Sequence, residues 1–226
     1  MDTATPATAV AVWAPDGPAV ERRDDPAPGE RPGHAARLLA LVDEVVPGWD
    51  AITRIAVGVG PGGFTGLRIG IATARALAQA RDLPLVGVSS LTALAAGVRP
   101  LESGPLKGSD PLSVGDARGQ TPVVAVIDAR RGEVFAASPG VFEPVALAPE
   151  ALAARIEPGS LAVGDGAVRF RAELERAGAT VPADDSPLHR VSALEVCRLG
   201  AAGEPADRDA LLPDYRREPD AKPRYQ

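Results

Sequence analysis

Short apolar runs alternate with longer amphipathic ones through the first half of the chain, a rhythm that predicts strands and helices in turn. Thr8 to Trp13 (TAVAVW) reads as a strand, Ala14-Pro15-Asp16-Gly17 as a turn, and Ala19 to Arg23 as a second strand. Asp24 to Gly33 is rich in Pro, Gly and charge and reads as a loop. A helix is predicted from His34 to Val46, closed by Pro47-Gly48. Its apolar residues form two adjacent stripes, Ala35, Leu39, Val42 and Val46 on one and Leu38, Leu41 and Val45 on the other. Together they cover more arc than one sheet contact requires. The first stripe is expected to cover the sheet, which leaves the second without cover.

The stretch from Ile52 to Gln79 organises the rest. It reads as an apolar strand (Ile52 to Val59), a glycine loop (Gly58 to Gly66) and a helix from about Gly66 to Ala80, with Thr65 placed to cap it. Loop amides beside a helix N-terminus favour anions, so a phosphate cradle is one reading. No Lys-Ser/Thr pair follows the glycines, so the P-loop pattern is not met. On the helix Arg68, Arg75 and Gln79 share one narrow stripe and nearly everything else is apolar or small. Such a helix is expected to be buried on more than one side, inside a three-layer domain or against a partner. Leu85 to Ser89 then reads as a strand and Ser90 to Val98 as a helix.

Residues 99–121 lose the periodicity and read as a flexible connector. Beyond it come a strand from Pro122 to Ile127, the turn Asp128 to Gly132, and a strand from Glu133 to Ser138. A further strand is predicted over Val141 to Leu147, a helix over Pro149 to Ile156 and a strand over Ser160 to Val163. Helices over Ala167 to Ala177 and Ser192 to Ala202 precede a Pro-rich, charged tail.

The segment GPGGFTGLRIG, beginning at Gly60, resembles the signature of the TsaB (YeaZ) family, and DTATPATAVAV at Asp2, DARRGEVFAA at Asp128 and PDYRRE at Pro213 match it in order. The resemblance implies an α/β fold of the two-lobed actin-like ATPase (ribonuclease H-like, ASKHA) class. One lobe would span residues 1–98 and the other 122–226. It also implies an accessory subunit, non-catalytic by itself, that binds and activates TsaD. The pair would transfer threonylcarbamoyl to N6 of adenosine 37 in ANN-decoding tRNAs (t6A synthesis). TsaE would join the assembly, tRNA would be met only through the complex, and the chain alone could form a homodimer. The family pattern places an apolar strand ahead of the Asp-Thr pair, and this sequence does not contain it. Either the start is assigned late or the strand is shortened.

Composition narrows the chemistry. The 226 residues carry a net charge of −6, which speaks against autonomous nucleic-acid binding. The single cysteine, Cys197, allows no intrachain disulfide and suits a reducing cytoplasm. No run approaches the ~18 apolar residues of a membrane span. Catalytic actin-like proteins hold ATP phosphates and metal at two Asp-Gly hairpins. Here the turn after Asp128 carries Arg130 and Arg131, and the turn after Asp2 has no glycine. Asp2, Asp128, Gly164 and Gly166 are therefore expected to mark a vestigial nucleotide site, with no cofactor. His34 and His189 are the only histidines, no metal-ligand spacing appears, and no G-x-S-x-G elbow is present. His34 is expected to be solvent-exposed at the start of its helix. The docking face for TsaD is expected to comprise His34, Leu38, Leu41, Val45, Gly66, Arg68, Gly70, Ala74 and Leu77. An active ATPase or phosphotransferase, or a direct tRNA-binding module, is the alternative function.

Overall fold

The computed structural model describes residues 1–27, 29–98 and 121–216; the connector read over 99–121 lies almost wholly outside them, as does the end of the tail. The first half opens with a hairpin of β1 (Thr8–Trp13) and β2 (Ala19–Asp24), paired antiparallel with Thr8 opposite Asp24. Helix α1 (His34–Val45) and a 3₁₀ turn, Trp49–Ala51, lead to β3 (Ile55–Gly60), three residues later than the apolar run suggested. Helix α2 (Phe64–Arg81) starts two residues before its predicted start, so Gly63 occupies the N-cap position and Thr65 lies inside the first turn. Its last turn ends on Asp82 in the left-handed conformation, φ 49°. β4 (Leu85–Ser89) runs parallel to β3 and passes directly into α3 (Ser90–Ala96), whose first turn is capped by the Ser89 hydroxyl.

Met1 and Asp2 join the hairpin to the parallel pair. The Met1 amino nitrogen donates to the Ala56 carbonyl at 2.9 Å, and Gly58 N–H donates back to the Met1 carbonyl at 2.9 Å, the pattern of a parallel ladder. On the other side Asp2 and Ala9 exchange two antiparallel bonds of 2.9 and 3.0 Å. Strand order across the first half is therefore β2, β1, Met1–Asp2, β3, β4. Alongside Met1 the two flanking strands are separated by an apolar groove of about 540 Å³ lined by Val12, Trp13, Val42, Trp49, Ile52 and Ile55.

The second half builds one sheet in the order β7-β6-β5-β8 from β5 (Val123–Arg130), β6 (Glu133–Ser138), β7 (Phe142–Leu147) and β8 (Leu161–Val163). Helix α4 (Pro149–Ala153) links β7 to β8. The single helix predicted over Ala167 to Ala177 is two, α5 (Asp165–Arg169) and α6 (Arg171–Arg176), broken at Phe170 with φ −111°. The final helix α7 (Ala193–Ala202) packs on β1, β3 and β4 of the first half and against α3. Packing thus does not follow chain order. Glu21 on β2 fixes the return, its carboxylate accepting from Ala193 N–H at 2.8 Å and from the Ser192 hydroxyl at 3.0 Å at the start of α7. The central core (Val88, Leu91, Leu94, Ile127, Phe135, Val163, Val196) spans both halves.

Candidate functional site

The N-terminal turn and the glycine loop interlock. The Thr3 hydroxyl donates to the Gly66 carbonyl at 2.8 Å and Gly63 N–H donates to the Ala4 carbonyl at 2.7 Å. A Cβ on Gly66 would lie 2.1 Å from the Thr3 carbonyl oxygen, and one on Gly70 2.2 Å from Thr3 Oγ1. These two positions must lack side chains because Thr3 lies across them. Gly66, Gly70 and Ala74, expected on the docking face, are covered by the chain itself: Thr3 lies against the two glycines and Ala74 is fully buried. Asp2 is buried as well: its carboxylate accepts from the Ser90 hydroxyl at 2.6 Å and from Ala4 N–H at 2.9 Å.

His34 corrects another expectation. It is buried beneath the loop, not exposed, and its Nδ1 lies 2.9 Å from the Thr8 hydroxyl. Burial pushes its pKa below the ordinary value, against the smaller opposing pull of the Asp2 and Asp24 carboxylates. With His34 turned inward, α1 buries Leu38, Leu41, Val42 and Val45 in the core with Ile55, Val57 and Ile71. The second stripe joins Val42 of the first in the core, and the first stripe loses only its N-terminal members to solvent. Leu38, Leu41 and Val45, expected on the docking face, are buried in the core, while Ala35 and Leu39 face solvent, Leu39 at 58% exposure.

The outer surface of α1 as far as Ala40, and of the adjacent α2, is small and apolar, while Asp43 and Glu44 stand exposed in the last turn of α1. Ala35, Ala36, Leu39 and Ala40 are exposed on α1, and Ala72, Ala76 and Ala80 on α2, flanked by half-buried Ile69, Thr73 and Leu77. Arg68 and Gln79 stand exposed along the edge of that face, and Arg75 turns aside to donate to the carbonyls of Arg208 and Asp209.

Between the halves lies a cleft of about 970 Å³ whose walls include Thr5, Gly63, Phe64, Asp128, Arg130 and Tyr215. Asp128, in the second hairpin, is already engaged: Arg169 reaches its Oδ2 at 2.7 Å and Arg130 the same atom at 3.4 Å. Arg130 and Arg131 both take left-handed backbone, φ 66° and 53°, costly for residues with a Cβ. Asp165, absent from the sequence-based candidates, accepts from Asp128 N–H at 3.0 Å, and burial raises its pKa. Gly164 and Gly166 serve contact between α5 and β5; a Cβ on Gly164 would sit 2.0 Å from the Val126 carbonyl oxygen, and Gly164 N–H donates to His189 Nδ1. Among the described residues no three His, Cys, Asp or Glu side chains converge as metal ligands.

One cluster brings together two sequence motifs that lie far apart along the chain. Phe64 of the glycine motif stacks on Tyr215 of PDYRRE with centroids 5.3 Å apart, and Arg68 lies over the Phe64 ring. Motif order along the chain gave no sign that these residues meet.

The fold is a mixed α/β architecture similar to YeaZ from Pseudomonas aeruginosa, with a TM-score of 0.71 and 27% identity over 95% of this chain and 96% of that one. A family model described as TsaD: tRNA N6-adenosine threonylcarbamoyltransferase matches residues 31–154. The chain is 38% identical over 139 residues to the tRNA threonylcarbamoyladenosine biosynthesis protein TsaB of Escherichia coli, covering 60% of this chain but only 51% of that protein's length. It is 35% identical over 235 residues to an uncharacterized protein of Mycobacterium tuberculosis, covering 99% and 92% of the two chains.

Proposed function

The chain belongs to the TsaB (YeaZ) family, and from that membership we propose that it acts in t6A synthesis as a non-catalytic, actin-like partner that binds and activates TsaD. In this reading TsaD transfers threonylcarbamoyl to N6 of adenosine 37 of ANN-decoding tRNAs, TsaE joins the same assembly, and tRNA is met through the complex. The observation that carries the reading is the apolar part of the outer face of α1 and α2, which gives way to the exposed Asp43 and Glu44 only in the last turn of α1. Ala35, Leu39, Ala72 and Ala76 leave apolar surface in water on two neighbouring helices, which in a protein that is 24% charged calls for a covering partner. Two equivalent helices of TsaD, or of a second copy, would cover it as a four-helix packing burying on the order of 1,600 Å².

The state of the cleft supports the non-catalytic part. Asp128 is paired with guanidinium groups and Asp2 is sealed beneath the glycine loop, so neither carboxylate is presented to a metal–nucleotide complex.

Leu39→Glu and Ala76→Arg test the docking face, since both positions are exposed in the isolated chain. Calorimetric titration of TsaD into wild type should show binding that both variants lose. Unchanged affinity in both places the docking face elsewhere. Turnover of Mg-ATP by this chain alone would instead favour the ATPase reading.

A further inference from the structure

We propose that Arg68 is a preset fork for a carboxylate on the docking partner, an inference that rests on the docking face of α1 and α2 proposed above. A surface arginine is ordinarily a mobile side chain that loses rotamer entropy when it pairs. Arg68 is already held. Its Cζ sits 3.8 Å above the Phe64 ring, and its Nε donates to the Tyr215 hydroxyl at 2.9 Å. Tyr215 is itself fixed, by its stacking on Phe64 and by Asp214 N–H donating to the Val59 carbonyl at 2.8 Å on the preceding residue.

What the clamp leaves open defines the ligand. Among the described residues only Nε of this guanidinium has a hydrogen-bond partner, and no carboxylate forms an ion pair with it. The donors on its two terminal nitrogens remain, in the planar arrangement that matches the two oxygens of a carboxylate. Phe64 and Tyr215 stay 46% and 44% exposed, so the fork is framed by aromatic surface that a partner would also cover. Arg, Tyr and Phe held together in this way have the make-up of a binding anchor.

Position completes the argument. Arg68, Ala72 and Ala76 follow one another at intervals of four on α2 and form one row along the helix. The guanidinium thus stands at the end of the apolar row, where an acidic side chain at the rim of a helix-packing partner would arrive. The first turn of α2 carries no acidic residue to compete for it.

Calorimetry with TsaD tests the proposal on five proteins: wild type, Arg68→Gln, Arg68→Lys, Arg68→Glu and Tyr215→Phe. Arg68→Gln should weaken binding about tenfold or more, equivalent to about 1.4 kcal/mol. Arg68→Lys should lose nearly as much because it keeps the charge but not the fork. Tyr215→Phe keeps the ring, loses the brace, and should weaken binding a few-fold. Arg68→Glu should abolish binding until one acidic residue of the partner's surface is changed to Arg. If wild type binds and Arg68→Gln binds within twofold of it, the proposal is overturned while the docking face stands. A Tm lowered by Arg68→Gln with that unchanged affinity would show a clamp for residues 214–216 and nothing more. No binding by wild type would overturn both.

Discussion

Two leucines two residues apart on α1 give a sharp test of how that helix sits. Leu41 is 1% exposed and packs with Leu38, Val42, Ile55, Val57 and Ile71, whereas Leu39 is 58% exposed. Truncating a fully buried leucine removes its transfer free energy and leaves a cavity, a cost of about 2–5 kcal/mol. In a domain of this size each kcal/mol lowers the melting midpoint by about 2–4 °C, so Leu41→Ala should melt on the order of 10 °C below wild type. Leu39→Ala removes atoms that are mostly in water and should stay within about 0.5 kcal/mol, or about 2 °C. Thermal denaturation followed by circular dichroism measures both. It should be run at two protein concentrations, so that any self-association covering Leu39 appears as a concentration-dependent midpoint. Affinity for TsaD should show the reverse order, falling for Leu39→Ala and holding for folded Leu41→Ala. Equal destabilisation by the two substitutions would mean the helix is rotated from the orientation described, and the docking face with it.

Gly70→Ala should cost about 1–3 kcal/mol because its methyl meets Thr3 Oγ1, and the Gly70→Ala/Thr3→Ala pair should cost less than the sum of the singles in a double-mutant cycle. His34 has a folded pKa below 6.5, so as pH falls through that value the unfolded chain takes up a proton that the folded one refuses; urea stability should decline below pH 6.5, and His34→Gln should flatten that part of the profile. Burial raises the folded pKa of Asp165 above 3.8, so folding disfavours its charged form; Asp165→Asn, which keeps an acceptor for Asp128 N–H without a charge, should match or exceed the wild-type Tm at pH 7, with the gain fading toward acid, and a large loss at pH 7 would contradict this. Asp128→Ala should leave t6A formation by the reconstituted system nearly unchanged, and a hundredfold loss, about 2.7 kcal/mol, with intact TsaD binding would show a working hairpin.

The strands were legible because their patterns leave one solution. TAVAVW between polar turns gives β1 its observed bounds, Thr8–Trp13, and the Leu85–Ser89 run gives β4. The face of α1 was not legible. Ala35-Leu39-Val42-Val46 and Leu38-Leu41-Val45 are both continuous apolar stripes, and periodicity cannot rank them. The choice follows from a tertiary contact, Thr8 with His34, between residues 26 apart that hold the first turn inward. The small residues of α2 misled for a related reason. Spacing by four announces that a backbone or side chain comes close without saying whose, and at Gly66 and Gly70 it is that of Thr3. The Phe64–Arg68–Tyr215 cluster was beyond reach because its ends lie some 150 positions apart and no local pattern links them.

The amino group of Met1 fills a place in a ladder where a peptide N–H would ordinarily stand, donating to Ala56 with the apolar groove beside it. Anything covalently joined to that nitrogen starts its course inside the sheet, between β1 and β3, and not in bulk water. A purification handle at this end is therefore a structural substitution: a polar tag must either thread the groove or pull Met1 out of register, loosening Asp2 and the glycine loop that rests on it. A handle on this nitrogen should consequently lower the melting midpoint relative to the untagged chain, a difference readily mistaken for a property of the partner being assayed.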